Sequence, residues 1–166
     1  RLTYNKAIDT SPAFSPDGTK IVFSSVRDGK QKLYIMELTN RKLQKINFKH
    51  GAYASPVYSP DGRYIAFTKI YRNKFHIGIV DLKNYNSKIL TTGYKDEAPS
   101  FSANSKFILF TRRVPATKRM KRNISNLYLV NLNGEIITKI KTAYDGSESD
   151  WIKNKSLSEN LLFSWD

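Results

Sequence analysis

Short hydrophobic runs alternate with polar turns along this chain, and the arrangement is repeated three times. The segment SPAFSPDG at 11–18 returns as SPVYSPDG at 55–62 and as APSFSANS at 98–105. The prolines at positions 12, 56 and 99 place the copies 44 and 43 residues apart. A period of this length that carries strands rather than helices is typical of a β-propeller built blade by blade.

Each copy predicts four short strands, A to D. Strand A is the repeated segment and carries an aromatic residue at one fixed position, namely Phe14, Tyr58 or Phe101. Ser-Pro-Asp-Gly then favours a type I turn. Strands B and C are β-branched and aromatic runs. We expect the aromatic and aliphatic side chains of strands A to C to pack between blades. Strand D is more polar, as suits an outer edge strand; it is expected at 42–48, 88–92 and 136–142.

We therefore predict an all-β fold, a single partial β-propeller of four-stranded antiparallel blades over residues 1–166. The predicted segments are strand D of a preceding blade at 1–5, full blades at 9–48, 53–92 and 96–142, and an incomplete closing blade at 149–166. Because a propeller needs at least four blades to close, we expect missing blades or a second copy to complete the ring.

The net charge of +14 indicates an anionic partner or a basic, solvated surface. The charge is most concentrated in the predicted B–C loop of the third blade, which holds Arg112, Arg113, Lys118, Arg119, Lys121 and Arg122 and no acid. This basic loop is either a solvated loop or a finger for an acidic partner. It lacks spaced aromatic residues that would stack on bases, so no nucleic acid is expected.

Residues for chemistry are scarce in this sequence. It has no cysteine and only two histidines, His50 in a D–A loop and His76 at the start of a strand. Neither a Gly-x-Ser-x-Gly motif nor a phosphate-binding loop is present. No catalytic residue, metal site or cofactor is therefore expected, and no apolar run is long enough for a transmembrane helix.

The alternation of strand direction predicts where a partner would bind. The D–A and B–C loops emerge on one face, and the tight A–B turns lie on the other. The D–A loops are longer and more varied, and they bring together the candidate partner-binding residues Asp9, His50, Tyr53, Tyr94, Asp96, Glu97, Tyr144 and Asp145. Tyrosine is favoured at interfaces, whereas the carboxylates either shape the loops or contact the partner.

The segment from Asp9 to Phe23, followed by Leu33-Tyr34-Ile35-Met36, resembles the TolB-type propeller repeat. Arg1-Leu2-Thr3 is similar to the end of a preceding blade in that family, and Lys95 to Ser100 resembles the acidic lead-in of a late blade. The resemblance implies a six-bladed propeller without enzymatic activity in the periplasm. It also implies binding of the lipoprotein Pal in the Tol–Pal system, which holds the protein at the outer membrane through its partner and supports membrane integrity and cell division.

Two other functions fit the same repeat. The chain could be the propeller of a larger, prolyl-oligopeptidase-like hydrolase, where it would gate access to a catalytic domain. It could also be a basic surface protein that binds an anionic polymer, in which case binding would depend steeply on salt.

Overall fold

The computed structural model of the chain describes residues 1–116 and 123–140. These ranges contain twelve β-strands and no helix, and hence no helix that could cross a membrane. The strands are β1 (Asp9–Phe14), β2 (Lys20–Asp28), β3 (Lys30–Glu37), β4 (Leu43–Lys45), β5 (Ala52–Tyr58), β6 (Tyr64–Tyr71), β7 (Lys74–Asp81), β8 (Ser87–Ile89), β9 (Lys95–Phe101), β10 (Phe107–Val114), β11 (Ile124–Asn131) and β12 (Ile136–Ile140).

The strands pair in chain order as three successive antiparallel units of four. The first unit is β1–β4, the second β5–β8 and the third β9–β12, and the strands of each are lettered A to D. One parallel contact, between Phe75 of β7 and Lys95 of β9, joins the second unit to the third. The predicted all-β fold, a partial β-propeller of four-stranded antiparallel blades, is confirmed.

A tight turn closes the A–B hairpin of every unit. In the first unit the Gly18 amide donates to the Ser15 carbonyl at 2.9 Å, and Gly18 has a φ of 71°, which glycine adopts without a Cβ clash. The Ser15 hydroxyl donates to Asp17 Oδ1 at 2.6 Å. Equivalent contacts recur at residues 59–61 and 102–104. The aspartates of these turns therefore stabilise the backbone, as the sequence indicates.

Each strand A also contains a bulge that the sequence analysis does not predict. The register of β1 against β2 shifts between Thr10 and Ala13, and matching shifts occur in β5 and β9. The residue before the repeated proline has a positive φ in each unit, at Ser11, Ser55 and Ala98. Proline has no N–H for the ladder, which explains why the irregularity falls there.

The core lies between successive units. One buried cluster joins the first unit to the second, with Leu33 and Ile35 packed against Ile65 and Phe67. A second cluster joins the second unit to the third in the same way and contains Phe110. Burial of these aliphatic and aromatic side chains supplies the main stabilisation of the stack.

The outer strands are shorter than predicted. β4 and β8 have three residues each, and all of them are exposed. After β4 the chain turns inward, since Ile46 is 1% exposed and its amide still donates to the Leu33 carbonyl at 2.9 Å. Leu90 does the same after β8. Burial of these two side chains therefore ends the edge strands early.

One expectation fails at the start of the chain. Phe14 is 67% exposed, so its predicted packing between blades is wrong, because the described residues place no unit against that side of the first one. Tyr58 and Phe101, at equivalent positions, do pack against neighbouring units. Residues 1–5 form no strand, since no described strand lies beside them for pairing. The predicted closing blade at 149–166 lies outside the described residues.

Candidate protein-binding face

Loops from different units meet at one end of the molecule. The Lys32 ammonium, at the start of strand C of the first unit, donates to the Gly51 carbonyl in the following D–A loop at 2.8 Å. The Phe75 amide, at the start of strand C of the second unit, donates to the Tyr94 carbonyl in the next D–A loop at 3.2 Å. These contacts define the D–A/B–C face, on which the sequence analysis expects a partner.

Asp96 is fully buried on this face, contrary to the expectation that it contacts a partner. Its carboxylate accepts two hydrogen bonds from Arg112, at 2.6 and 2.8 Å, and one from the Gly93 amide at 3.1 Å. The Arg112 guanidinium also lies 4.8 Å from the centre of the Tyr128 ring. Of the two roles expected for these acids, shaping a loop or contacting a partner, Asp96 therefore has the first.

Asp9 plays a similar part in the first unit. Arg27 Nη2 donates to its two carboxylate oxygens at 3.1 and 3.2 Å. Burial raises the pKa of the Asp9 carboxyl, but hydrogen bonds from Ser25, Thr3 and Arg27 outweigh that effect, and the pKa lies below its usual value. Asp9 is thus held by its own unit.

Glu97 is more accessible than the other two acids. It pairs with Arg113 at 3.0 Å, and both side chains are partly exposed, at 29% and 42%. An exposed ion pair of this kind contributes little to stability. Glu97 and Arg113 can therefore exchange their contact for one with a partner at small cost.

Tyr53 is 2% exposed, so the prediction that it contacts a partner is wrong. Its ring stacks on Phe48 at 4.0 Å, and its hydroxyl donates to the His50 carbonyl at 2.8 Å. Burial raises the pKa of the Tyr53 phenol. His50 itself is exposed and lies on the rim of the face. Tyr53 therefore supports the loop that presents His50.

Tyr94 is the most exposed of the candidate tyrosines within the described residues, at 44%. Its ring centre lies 5.7 Å from the Lys95 ammonium, and its carbonyl accepts the hydrogen bond from the Phe75 amide at the start of strand C of the second unit. A ring that is exposed while its backbone is fixed is well suited to contact a partner. Tyr144 and Asp145 lie outside the described residues.

The predicted basic loop is smaller than expected. Arg112 and Arg113 belong to strand β10, because their backbones pair with Asn126 and Ser125 of β11 and their side chains bind Asp96 and Glu97. Only Lys118, Arg119, Lys121 and Arg122 remain as loop cations, and they lie outside the described residues.

A shallow groove of about 360 Å³ lies on the D–A/B–C face, between the first and second units. Its lining includes Ala52, Ile70 and Tyr71, and its basic residues define it as the basic groove: Lys30, Lys32, Lys49, His50 and Arg72. Burial lowers the pKa of the Lys32 ammonium, and the neighbouring charges of Lys45, Lys30 and Lys69 lower it further. The groove was not predicted from the sequence, because its residues come from three separate segments of the chain.

A signal for the basic groove is nevertheless present in the repeat. Asp9 and Asp96 occupy the same place in strand A of the first and third units, three residues before the repeated proline. In the second unit that place is held by Tyr53. The aspartate that binds arginine in the first and third units is therefore replaced by tyrosine in the second unit, next to the lysines of the basic groove.

The opposite end of the molecule carries the tight turns. A cleft of about 430 Å³ separates the first two units there and is lined by Asp17, Glu37, Tyr58 and Tyr85, among others. The Tyr58 hydroxyl is buried without a hydrogen-bond partner within the described ranges. Between the second and third units the space is bridged by the Asp61 amide, which donates to the Ser105 hydroxyl at 3.1 Å.

Within residues 1–116 and 123–140, no group of three or more potential ligands could hold a metal ion. His76 lies in strand β7, and its Nδ1 is buried without a hydrogen bond in the described part of the chain. Burial lowers the pKa of this imidazole, against the opposing effect of Asp96. His76 and His50 therefore occupy separate environments, as the sequence predicts.

The family model described as TolB beta propeller domain matches residues 1–154. Over 64 residues the chain is 40% identical to the Tol-Pal system protein TolB of Rhizorhabdus wittichii, a match that covers 39% of this chain and 13% of that protein. The chain thus matches only a small part of the length of this relative.

Solved structures give the same result for the fold. The chain superposes on TolB from Acinetobacter baumannii with a TM-score of 0.77 and 25% identity, over 91% of this chain and 37% of that one. The acylaminoacyl peptidase of Pyrococcus horikoshii is also similar, with a TM-score of 0.62 and 18% identity, over 81% of this chain and 25% of that one. The second likeness concerns the fold alone.

Proposed function

The chain belongs to the TolB β-propeller family, and on this premise we propose that it is a non-catalytic, protein-binding part of a Tol–Pal system. Its partner is a Pal-like lipoprotein, and the complex acts in the periplasm. Through this partner the protein is held at the outer membrane, where it supports membrane integrity and cell division. The match to a Tol–Pal protein of Rhizorhabdus wittichii supports this assignment.

The observation that carries the proposal is the contrast between the two ends of the molecule. The D–A/B–C face has irregular loops, an exposed Tyr94 and the basic groove. The other end carries a cleft between the first two units, but its A–B turns are short and repeat nearly the same hydrogen bonds in each unit. Varied loops on a rigid scaffold are where binding residues concentrate. The partner therefore binds at the D–A/B–C face, with Tyr94, His50 and Glu97 as its contacts.

Two matched tyrosines test this assignment. Tyr94 on the D–A/B–C face is 44% exposed, and Tyr85 at the opposite end is 42% exposed. The soluble domain of the Pal lipoprotein from the same organism is immobilised, and binding of the 166-residue chain is measured by biolayer interferometry. We expect Tyr94→Ala to weaken binding at least tenfold and Tyr85→Ala to leave it unchanged. Absence of binding by the unchanged chain, or equal losses in both variants, would contradict the proposal.

The complete reading frame separates this function from the hydrolase alternative. A signal peptide and an α/β domain upstream would support the Tol–Pal assignment. A Gly-x-Ser-x-Gly domain downstream would instead make the chain the propeller of a larger hydrolase.

A further inference from the structure

We propose that the basic groove between the first and second units binds an acidic peptide segment of the protein partner through its carboxylates. This inference rests on the proposed function, because it names the part of the partner that the D–A/B–C face recognises. The groove was defined above by Lys30, Lys32, Lys49, His50 and Arg72.

In the described part of the chain, the cations of the groove are not paired with a carboxylate. Within the described residues, no acid lies within 4 Å of the charged groups of Lys30, Lys32, Lys49 or Arg72, whereas six other cations are paired in this way. Asp28, in the hairpin that carries Lys30, is already engaged by Lys45 and by the Tyr34 hydroxyl. Like charges gathered at one place repel each other, and a bound anion relieves that repulsion.

The repeat shows which anion the scaffold uses at this place. In the third unit Asp96 lies directly across from Arg112 on the neighbouring strand and binds it. The equivalent cross-strand pair in the second unit is Tyr53 and Lys69. The Lys69 side chain passes beside Gly51 on the wall of the groove. A carboxylate from outside the chain would thus supply the charge that the first and third units supply internally.

The walls of the groove hold its cations in place. Lys32 is fixed by its hydrogen bond of 2.8 Å to the Gly51 carbonyl, and its ammonium lies 5.0 Å from the centre of the Tyr53 ring. Gly51 has a φ of 108°, and a Cβ there would come within 2.9 Å of the Ile70 carbonyl oxygen. The loop can therefore follow this path only with glycine, which brings the lysines of two units together.

The size and lining of the groove favour a peptide over a nucleic acid. A volume of about 360 Å³ is at the lower end for a ligand site and suits a few acidic side chains. Among the described residues that line it, Tyr71 and His50 are the only rings. Single-stranded nucleic acids need successive aromatic platforms for stacking, which this groove does not offer.

Fluorescence anisotropy with a fluorescein-labelled hexaglutamate peptide tests the inference on the 166-residue chain. The test variant replaces the exposed Lys30, Lys49 and Arg72 by Gln, and the control variant replaces the exposed Lys42, Lys83 and Lys106 at the opposite end by Gln. Both lose three positive charges. We expect the test variant to bind at least tenfold more weakly and the control less than twofold more weakly. Equal losses would mean that net charge alone attracts the peptide, and would overturn the proposal.

A second variant places a carboxylate of the chain itself in the groove. Ala52→Glu places an acid on the wall of the groove at the cost of a single charge change. It should weaken hexaglutamate binding about tenfold while its melting temperature and circular dichroism stay close to those of the unchanged chain. Binding as tight as that of the unchanged chain would exclude the groove as the site.

Three further outcomes bear on the two proposals. If hexathymidylate binds the unchanged chain as tightly as hexaglutamate and loses affinity in the same variants, the groove recognises phosphates and the peptide assignment is wrong. If the Pal lipoprotein binds but the groove variants retain its full affinity, this inference fails while the proposed function stands. If hexaglutamate binds in the groove and the Pal lipoprotein does not bind, the proposed function fails alone.

Discussion

Arg112 holds the buried carboxylate of Asp96 from the neighbouring strand, through hydrogen bonds of 2.6 and 2.8 Å. The same guanidinium lies over the rings of Phe110 and Tyr128, with its carbon 5.4 and 4.8 Å from their centres. The first unit repeats this arrangement with Arg27, which binds Asp9. One structural solution therefore occurs in two of the three units, and the second unit departs from it.

The Asp96–Arg112 pair should contribute strongly to stability. Removing one partner of a buried ion pair leaves the other charge unpaired, and we expect Arg112→Ala to lower the free energy of unfolding by about 3–5 kcal/mol. Urea denaturation followed by circular dichroism measures the change. A loss below about 1 kcal/mol would mean that Asp96 is hydrated, as for an exposed pair.

The adjacent ion pair provides the control. Arg113 binds Glu97 at 3.0 Å, but both side chains are partly exposed. Arg113→Ala should therefore cost no more than about 1 kcal/mol, although it removes the same charge from the next position of the same strand.

The architecture could be predicted from the sequence because the repeat marks every A–B turn and every buried strand. The turn at Ser15–Gly18 is a local device, since its hydrogen bonds join residues that lie close together in the chain. Strands B and C follow from their β-branched and aromatic residues for the same reason. The bulge before the prolines was missed, because a positive φ at serine or alanine has no signature in composition.

The candidate binding face was harder to predict because exposure depends on contacts between distant residues. The sequence predicts Asp96 and Tyr53 in D–A loops that suit an interface, yet both lie in strands, where Arg112 covers the first and Phe48 stacks on the second. The basic groove combines Lys30, Lys49 and Arg72, which only the packing of two units brings together. Position in the repeat predicts which loops share one face, but the side chains exposed on that face follow from tertiary contacts.

Gly78 should not tolerate a side chain. It lies opposite Phe67 on the neighbouring strand, and a Cβ at Gly78 would meet that ring at 2.7 Å and Ile89 at 3.0 Å. The equivalent cross-strand pairs in the other units are Phe23 with Tyr34 and Phe110 with Tyr128. We expect Gly78→Ala to lower the free energy of unfolding by about 1–3 kcal/mol, because it overpacks the core.

A double mutant identifies the cause of that loss. Combining Gly78→Ala with Phe67→Leu removes the ring that the new methyl group would strike. The combined cost in urea denaturation should be smaller than the sum of the two single costs. Additive costs would assign the effect of Gly78→Ala to the backbone or to the contact with Ile89 rather than to the contact with Phe67.

Tyr58→Phe should stabilise the protein. The Tyr58 hydroxyl is buried without a partner in the described ranges, and burial raises the pKa of this phenol. Removing an unsatisfied hydroxyl avoids its desolvation cost, so the free energy of unfolding should rise by roughly 1 kcal/mol. Tyr34→Phe is the control, since the Tyr34 hydroxyl donates to Asp28 at 2.7 Å and its loss should destabilise the chain. Thermal unfolding of both variants should show opposite shifts, and a fall in melting temperature for Tyr58→Phe would contradict this account.

The turn aspartate Asp17 should make stability depend on pH below 4. A hydrogen bond from the Ser15 hydroxyl, followed by bonds from the Thr19 amide and hydroxyl, lowers the pKa of the Asp17 carboxyl to about 2, from 3.8. For an acid whose pKa is lower in the folded state, the stabilisation is complete above the unfolded value. It is lost as the pH falls from 3.8 through about 2.

The third unit has Asn104 at the position that Asp17 holds in the first unit. This difference suggests two opposite substitutions, Asp17→Asn and Asn104→Asp. Asn104 accepts the Ser102 hydroxyl at 2.7 Å and the Lys106 amide at 3.1 Å, so an amide keeps the turn without titrating. Asp17→Asn should therefore fold normally and lose less melting temperature between pH 4 and pH 2 than the unchanged chain, whereas Asn104→Asp should lose more. Thermal melts across this range measure both changes. If the melting temperatures of the unchanged chain and both variants fell in parallel with pH, the acid sensitivity would come from other carboxylates. The titration of the turn residue would then make no difference to stability.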